Sequence, residues 1–296
     1  MVKMAVAVII PSYKCSETLY RAIASIVKQT YPVEEIIVID DYSPESDKIK
    51  AIAESFPRVK YIRNKTRLGV AGSRNVGLLT TNCKIVALMD ADDESHPQRI
   101  EIQLKYLTPN SVVTCDVMRI TDNARPEYIH YTKEKIKSNY SPYINALFNR
   151  LTGAALMGET ELLRKVGGYD QELPGVDDFE IYLRLLNLGY IVKKVRLPLY
   201  VYYDISGSLS KDKLRIWNSN VKAIDKFVTT RFGGASSWQA ALFWFLVIFK
   251  EFVRAEIDRN KALRQAVIGE VGRVSGLPPL KVLLLSMFRI FRRSAK

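Results

Sequence analysis

Ile36-Ile37-Val38-Ile39 runs directly into Asp40-Asp41, and Ile85-Val86-Ala87-Leu88-Met89 runs directly into Asp90-Ala91-Asp92-Asp93. Each apolar run has the length of a fully buried strand, and each ends on carboxylates. In an open α/β sheet, ligands bind in the crevice at the carboxyl ends of the strands, so both acidic groups are expected at the mouth of one cleft. Apolar strands fix these charges in space at a desolvation cost that a surface loop would avoid, and a site for a divalent metal and a nucleotide is the expected reason.

Working outward from these two stretches, strands and helices alternate through the first hundred residues. Ala5 to Ile10 is a short apolar run stopped by Pro11. Glu17 to Gln29 has helical spacing, with Leu19, Ile23, Ile26 and Val27 on one face, and Tyr31-Pro32 ends it. Strands follow at Ile36 to Ile39, Val59 to Ile62 and Ile85 to Met89; helices are expected at Asp47 to Ser55 and, after Gly69, at Val70 to Leu79. This alternation predicts a mostly parallel sheet with both faces covered, a Rossmann-like nucleotide-binding unit.

From Pro97 the pattern loosens. Pro97 suits the first turn of a helix reaching Leu107, because its missing N–H is not needed there. Val112 to Ile120 is a strand candidate, and the polar, tyrosine-rich stretch from Ala124 to Tyr143 declares no element. Helical spacing resumes at Glu159 to Val166 and at Phe179 to Leu188, the latter closed by Gly189.

The chain of 296 residues, 48% hydrophobic and 25% charged, is that of a folded globular protein and excludes intrinsic disorder. Three cysteines, Cys15, Cys83 and Cys115, show no metal-ligand spacing and fit a reducing cytosol. Met1 to Val8 has no signal-peptide pattern, so the expected location is cytoplasmic. His96 and His130 are the only histidines and do not make a zinc site.

The net charge of +13 is unevenly placed. Residues 231–296 hold twelve Lys or Arg against four Asp or Glu, which favours a polyanionic partner, an anionic membrane or a nucleic acid. Trp238 to Phe249 is apolar except for Gln239, yet is too short to cross a hydrocarbon core that needs about 20 residues. Leu280, Leu284, Met287, Phe288 and Phe291 recur at helical spacing among Lys281, Arg289, Arg292, Arg293 and Lys296. The expectation is a basic, amphipathic helical tail lying on an anionic membrane surface; the plainer alternative is a helix packed on the core with solvated basic ends. Nucleic acid is the less favoured partner, since the cations lie beside an apolar stripe and no array of stacking aromatics accompanies them.

Motifs accumulate in one order. Val8-Ile9-Ile10-Pro11-Ser12-Tyr13, Ser25 to Pro32, Ile37 to Ser43, Arg67-Leu68-Gly69, Arg74-Asn75-Val76-Gly77 and Leu88 to Asp93 come first. Val166-Gly167-Gly168-Tyr169-Asp170 and Asp177-Asp178-Phe179-Glu180, with Arg184, follow. Over about residues 5 to 210 this series resembles the family 2 glycosyltransferases, which have a GT-A fold and invert the anomeric centre.

The resemblance implies a nucleotide-sugar-binding half over residues 1–110, an acceptor-binding and catalytic-base half over 111–230, and the helical tail over 231–296. It implies Mn²⁺ or Mg²⁺ as cofactor, a UDP-sugar donor with a dTDP-sugar as the second choice, and a glycan acceptor. Asp92 is then first choice for the metal, Asp90 for ribose or metal, and Asp93 for metal or local hydrogen bonds. Tyr13 and Asp41 would recognise the base, stacking on it and accepting its N3–H, with Pro11 shaping the loop. Arg67 and Arg74 would pair with phosphate oxygens or hold the acidic motif in place. Asp178, six residues before Arg184, would be the base that deprotonates the acceptor hydroxyl, with Asp177 as neighbour or alternate.

The structural alternatives are an acidic turn before the Pro97 helix and an acidic first turn of the Phe179 helix, which the helix dipole alone would favour. Lys14 stands where the family usually has Asn, and Asp204 where many members carry Arg or His. The expected activity is transfer to a lipid-linked glycan in surface polysaccharide or lipopolysaccharide synthesis, peripheral at the inner face of the cell membrane. The alternatives are a noncatalytic nucleotide-sugar-binding or scaffold protein, or a glycosyltransferase with a nucleic-acid acceptor.

Overall fold

The structure is a computed structural model that describes residues 4–120, 126, 136–138, 140–148, 151–204, 212–233, 238–258 and 260–274. It comprises two compact units, one of Met1–Asn145 with Asn149–Leu209, the other of Ala146–Phe148 with Ser210–Lys296.

The first unit opens with β1 (Val6–Ser12), α1 (Leu19–Val27), β2 (Glu35–Asp40), α2 (Ser46–Glu54), β3 (Val59–Arg63), α3 (Gly69–Thr80) and β4 (Ile85–Leu88). β1 pairs in parallel with both β2 and β4, and β2 with β3. The alternation of β1 explains why: Val6, Val8 and Ile10 pack on Leu19, Ile23 and Ile26 of α1, while Ala7 and Ile9 face Ala71 and Leu78 of α3. Both faces of the sheet are therefore covered, as a parallel sheet requires.

β5 (Glu94–Ser95), α4 (Arg99–Tyr106), β6 (Ser111–Ile120), β7 (Ile136–Lys137), α5 (Pro142–Phe148), β8 (Met157–Glu159), α6 (Thr160–Lys165), α7 (Asp177–Asn187) and β9 (Ile191–Tyr203) follow. The strand order is β3-β2-β1-β4-β8-β6-β9-β5, with β7 on β9. β8 runs antiparallel between β4 and β6, so the sheet is mixed at its centre. Pro97 does not enter the first turn of its helix: α4 begins at Arg99, and the Pro97 carbonyl instead accepts the Thr30 N–H at 2.8 Å.

Thirteen residues of β9, containing Lys193, Lys194, Arg196 and Pro198, form a strand that sequence pattern alone does not declare. A proline cannot donate to a ladder, and here the register with β6 shifts around Asp116, opposite Pro198, so the missing N–H falls at an irregularity.

The second unit contains α8 (Lys213–Phe232), α9 (Trp238–Ile257) and α10 (Lys261–Val274). Asp212 caps α8 by accepting the Arg215 N–H at 3.0 Å, and Gly233 ends it at φ 71°. Trp244, Val247 and Ile248 of α9 are fully buried, and Phe227 and Phe243 meet at 5.5 Å between ring centroids. Among the described residues no helix is long and apolar enough to cross a membrane. The amphipathic segment expected from Leu280 onward, and His130, lie outside the described residues.

Candidate active site

The two acidic groups that follow buried strands meet different fates. Asp40 is fully buried; its Oδ1 accepts the Ser43 N–H at 2.9 Å and its Oδ2 accepts the Tyr61 hydroxyl at 2.7 Å. Asp41, one residue on and pointing the other way, accepts Leu68 N–H (2.7 Å) and the Asn64 amide (2.9 Å) at Oδ1, and Gly69 N–H (2.8 Å) at Oδ2. Those N–H groups open α3, so Asp41 satisfies orphan donors and places negative charge at the positive end of the helix. Oδ2 retains one acceptor position.

Beyond β4, Asp90 and Asp177 are brought together by one guanidinium. Arg74 of α3 donates from Nη1 to Asp177 Oδ2 at 2.6 Å and from Nη2 to Asp90 Oδ1 at 3.0 Å. Its side chain is buried. Burial opposes its charge, but Asp177 and Asp90 outweigh that and hold it firmly protonated. Of the two roles open to Arg74, holding the acidic motif is the one the geometry displays.

The Asp92 carboxylate accepts no hydrogen bond from another described residue, and burial, then the neighbouring Asp90, push it up to about 6. Asp93 is turned into β9: its Oδ1 accepts the Tyr203 N–H at 2.9 Å, and burial, then Asp92 and Asp90, push it up to about 8. Local hydrogen bonding, one of its two expected roles, is what the structure displays. Arg21 of α1 supports this turn, donating to the Asp92 carbonyl at 2.6 Å while stacked 3.6 Å over the Tyr203 ring.

Asp178 sits in the first turn of α7, its Oδ1 accepting the Phe179 N–H at 2.7 Å. Burial and then Asp177 raise its carboxyl to about 6, Arg74 opposing. Gly153 lies against it: a Cβ there would stand 1.9 Å from Asp178 Cβ and 2.5 Å from its Oδ2. The loop is fixed by Thr114 and Tyr182, whose hydroxyls donate to the Thr152 carbonyl at 2.8 and 2.9 Å.

The Gly-Gly-Tyr turn is docked on α3. Asn75 donates to the Tyr169 carbonyl at 2.8 Å and accepts its N–H at 2.7 Å. Gly168, at φ 65°, could carry no side chain, since a Cβ would come within 2.4 Å of Asn75 Oδ1. Arg184 ties α7 to the same turn, donating to the Val166 carbonyl and, at 2.7 Å, to the Gly168 carbonyl.

At the other edge, Arg67 stacks 3.9 Å over the Tyr13 ring, beside Pro11, which is buried at the end of β1. Lys14 has φ 50°, the left-handed conformation that Asn adopts readily, so the departure at this position preserves a backbone shape that Asn would favour. Asp204 pairs with Arg119 at 3.5 Å. His96 is buried, its Nδ1 accepting the Gln98 N–H at 3.1 Å. Arg21, Asn64 and Tyr203 are the parts that sequence reading missed, because each acts through a tertiary contact with no local pattern.

Among the described residues no three His, Cys, Asp or Glu side chains form a closed metal cage. A hard dication in a phosphate-transfer setting uses one or two carboxylates and takes its other ligands from phosphates and water. Asp92, with Asp90 Oδ2 beside it, fits that donor set.

A GT-A-like sheet with carboxylates gathered at its mouth defines the class. Residues 7–165 match the family described as Glycosyl transferase family 2, to which this chain belongs. The Escherichia coli UDP-Glc:alpha-D-GlcNAc-diphosphoundecaprenol beta-1,3-glucosyltransferase WfgD is 33% identical over 107 residues, 36% of this chain and 42% of that protein's length. The Escherichia coli UDP-Glc:alpha-D-GlcNAc-diphosphoundecaprenol beta-1,3-glucosyltransferase WfaP is 29% identical over 227 residues, covering 73% of this chain and 84% of its own. In fold, the chain resembles S. aureus TarS 1-349 in complex with UDP (TM-score 0.60, 14% identity, 87% of this chain and 74% of that one). It also resembles the mannosyltransferase PcManGT from Pyrobaculum calidifontis with GDP-Man and Mn²⁺ (TM-score 0.61, 17% identity, 96% and 84%).

Proposed function

We propose that this chain is a metal-dependent, inverting glycosyltransferase that moves a sugar from a UDP-sugar to a hydroxyl of a lipid-linked glycan, in surface polysaccharide or lipopolysaccharide assembly at the inner face of the cell membrane. The Arg74 fork carries the reading: it joins the Asp-x-Asp turn at one end of the site to the α7 acids at the other. The activities of WfgD and WfaP, glucosyl transfer from UDP-Glc to a diphosphoundecaprenol-linked sugar, support the donor and the acceptor class.

On this reading Asp92 and Asp90 would hold Mn²⁺ or Mg²⁺, which supplies charge neutralisation for the departing diphosphate. Asp41 Oδ2 takes the N3–H of uracil with its remaining acceptor position, and Tyr13 offers a ring face once Arg67 swings toward phosphate. Asp178 removes the proton from the acceptor hydroxyl. The new bond from that oxygen to the anomeric carbon forms as the bond to the diphosphate breaks, the electron pair leaving with UDP and the proton staying on Asp178. A base poised near pH 6 is matched to this work; burial, and then the neighbouring Asp177, hold it there against Arg74.

The test is transfer assayed with a panel of nucleotide sugars, after thermal shift with Mn²⁺ has ranked them. UDP-sugars should raise the melting temperature and turn over; full turnover by folded Asp92→Asn and Asp178→Asn variants would remove the mechanism.

A further inference from the structure

We infer that one face of α9, built from Leu242, Leu246 and Phe249 with Phe148 beside it, is the surface that enters the outer layer of an anionic bilayer. The inference deepens the proposed membrane-side function and rests on it.

α9 has two unlike faces. Phe243, Trp244, Val247 and Ile248 are buried within the second unit, whereas Leu242, Leu246 and Phe249 are 46%, 41% and 37% exposed. Spacings of four and three place these three on one stripe, about 10 Å long at the rise of a helix. Phe249 stacks on Phe245, ring centroids 6.0 Å apart and rings nearly parallel, so a second aromatic adjoins the stripe. Phe148, 49% exposed, borders it: Lys250 Nζ lies 6.0 Å from its ring centroid and donates to the Leu147 carbonyl.

Lys250 and Arg254 follow the stripe along α9, both paired with Glu251, at 2.6 and 3.6 Å, and the Arg254 side chain is 58% exposed. Twelve Lys or Arg against four Asp or Glu over residues 231–296 give the region the charge an anionic headgroup attracts.

Size and composition choose among occupants. A stable protein interface buries about 800 Å² per partner, more than a few half-exposed side chains offer. The stripe is too short to span a bilayer, but an apolar strip with cations at its edge suits a helix lying in the interface.

The experiment is flotation of the full chain with vesicles of phosphatidylglycerol and, separately, of phosphatidylcholine. The probe variant is Leu246→Asn with Phe249→Asn, which leaves the charge unchanged; circular dichroism and turnover on a water-soluble acceptor analogue confirm its fold. The expected result is binding of the wild type to phosphatidylglycerol, weaker binding to phosphatidylcholine, and a loss of at least about tenfold in the variant. A Phe249→Trp variant should blue-shift its emission on phosphatidylglycerol and be quenched by brominated lipid. If the wild type binds and the double variant binds equally, the α9 face is the wrong surface while membrane association stands. If the wild type floats with neither vesicle, membrane association itself fails. A wild-type dimer in solution that the double variant splits would make the face a subunit interface and overturn the inference.

Discussion

Two acidic groups, each placed after a buried strand, do opposite work. Asp40 has both oxygens engaged, by the Ser43 amide and the Tyr61 hydroxyl, and Asp41 has given all but one acceptor position to the Asn64 amide and the start of α3. Asp92 has no such partners, and Asp90 shares an arginine with an aspartate 87 positions along the chain. On the proposed mechanism, the same sequence pattern builds the wall of the site in one place and its chemistry in the other. Carboxylates saturated by donors are structural; carboxylates crowded together and short of donors are waiting for a cation or a proton.

The sharpest way to break this contrast is at the proposed base. Asp178→Asn should cost about a thousandfold or more in transfer, with donor binding kept; a loss under tenfold would move the base elsewhere. Its stability should shift the other way. The folded-state pKa of Asp178 is raised to about 6, so its stabilising contribution is complete below pH 4 and disappears as pH climbs through 6. Asp178→Asn should therefore melt higher than wild type at pH 7.5, and the gap should close near pH 4. The wild-type rate should correspondingly rise through pH 6 to a plateau, and a rate flat from pH 5 to 8 would contradict a base of this kind.

Gly153→Ala comes next. Its Cβ would collide with Asp178, and the Thr152 carbonyl is held from two sides, so displacement falls on the carboxylate. Roughly a hundredfold loss in kcat is expected at nearly unchanged donor affinity.

The pair Asp92→Asn and Asp40→Asn tests the comparison directly. Asp92→Asn should lose affinity for Mn²⁺ by titration calorimetry without lowering its melting temperature at pH 7.5, since the Asp92 carboxyl is also pushed up to about 6 in the fold. Asp40→Asn should lose about 1–3 kcal/mol of stability in urea and keep its turnover per folded molecule. If the two variants behave alike, the distinction is void. Smallest of all, Arg21→Met should raise the metal concentration needed for half-maximal rate by a few fold, with kcat almost untouched, because Arg21 hydrogen-bonds the carbonyl of Asp92 and not its carboxylate.

Much of this was legible beforehand. β1 through β4 and α1 through α3 fall within about two residues of their expected bounds, because buried parallel strands and one-sided helices leave strong periodic traces. β9 was not, since its lysines and arginine break the apolar run and Pro198 argues against a strand until the irregular register is seen. The aspartates were legible as types at strand ends, and the resemblance named them. Which oxygens were already engaged was not, because Asn64, Tyr61 and Tyr203 reach them across the fold.

Arg74 has one planar head and two clients. A guanidinium divided between Asp90 and Asp177 behaves like the beam of a balance: whatever draws Asp90 toward an arriving donor leaves Asp177 the larger share of the positive charge, and Asp178 with a less negative neighbour. News of the first substrate would then reach the acceptor end by charge alone, with no helix obliged to move, and the order in which the two substrates are received would be written into a single side chain.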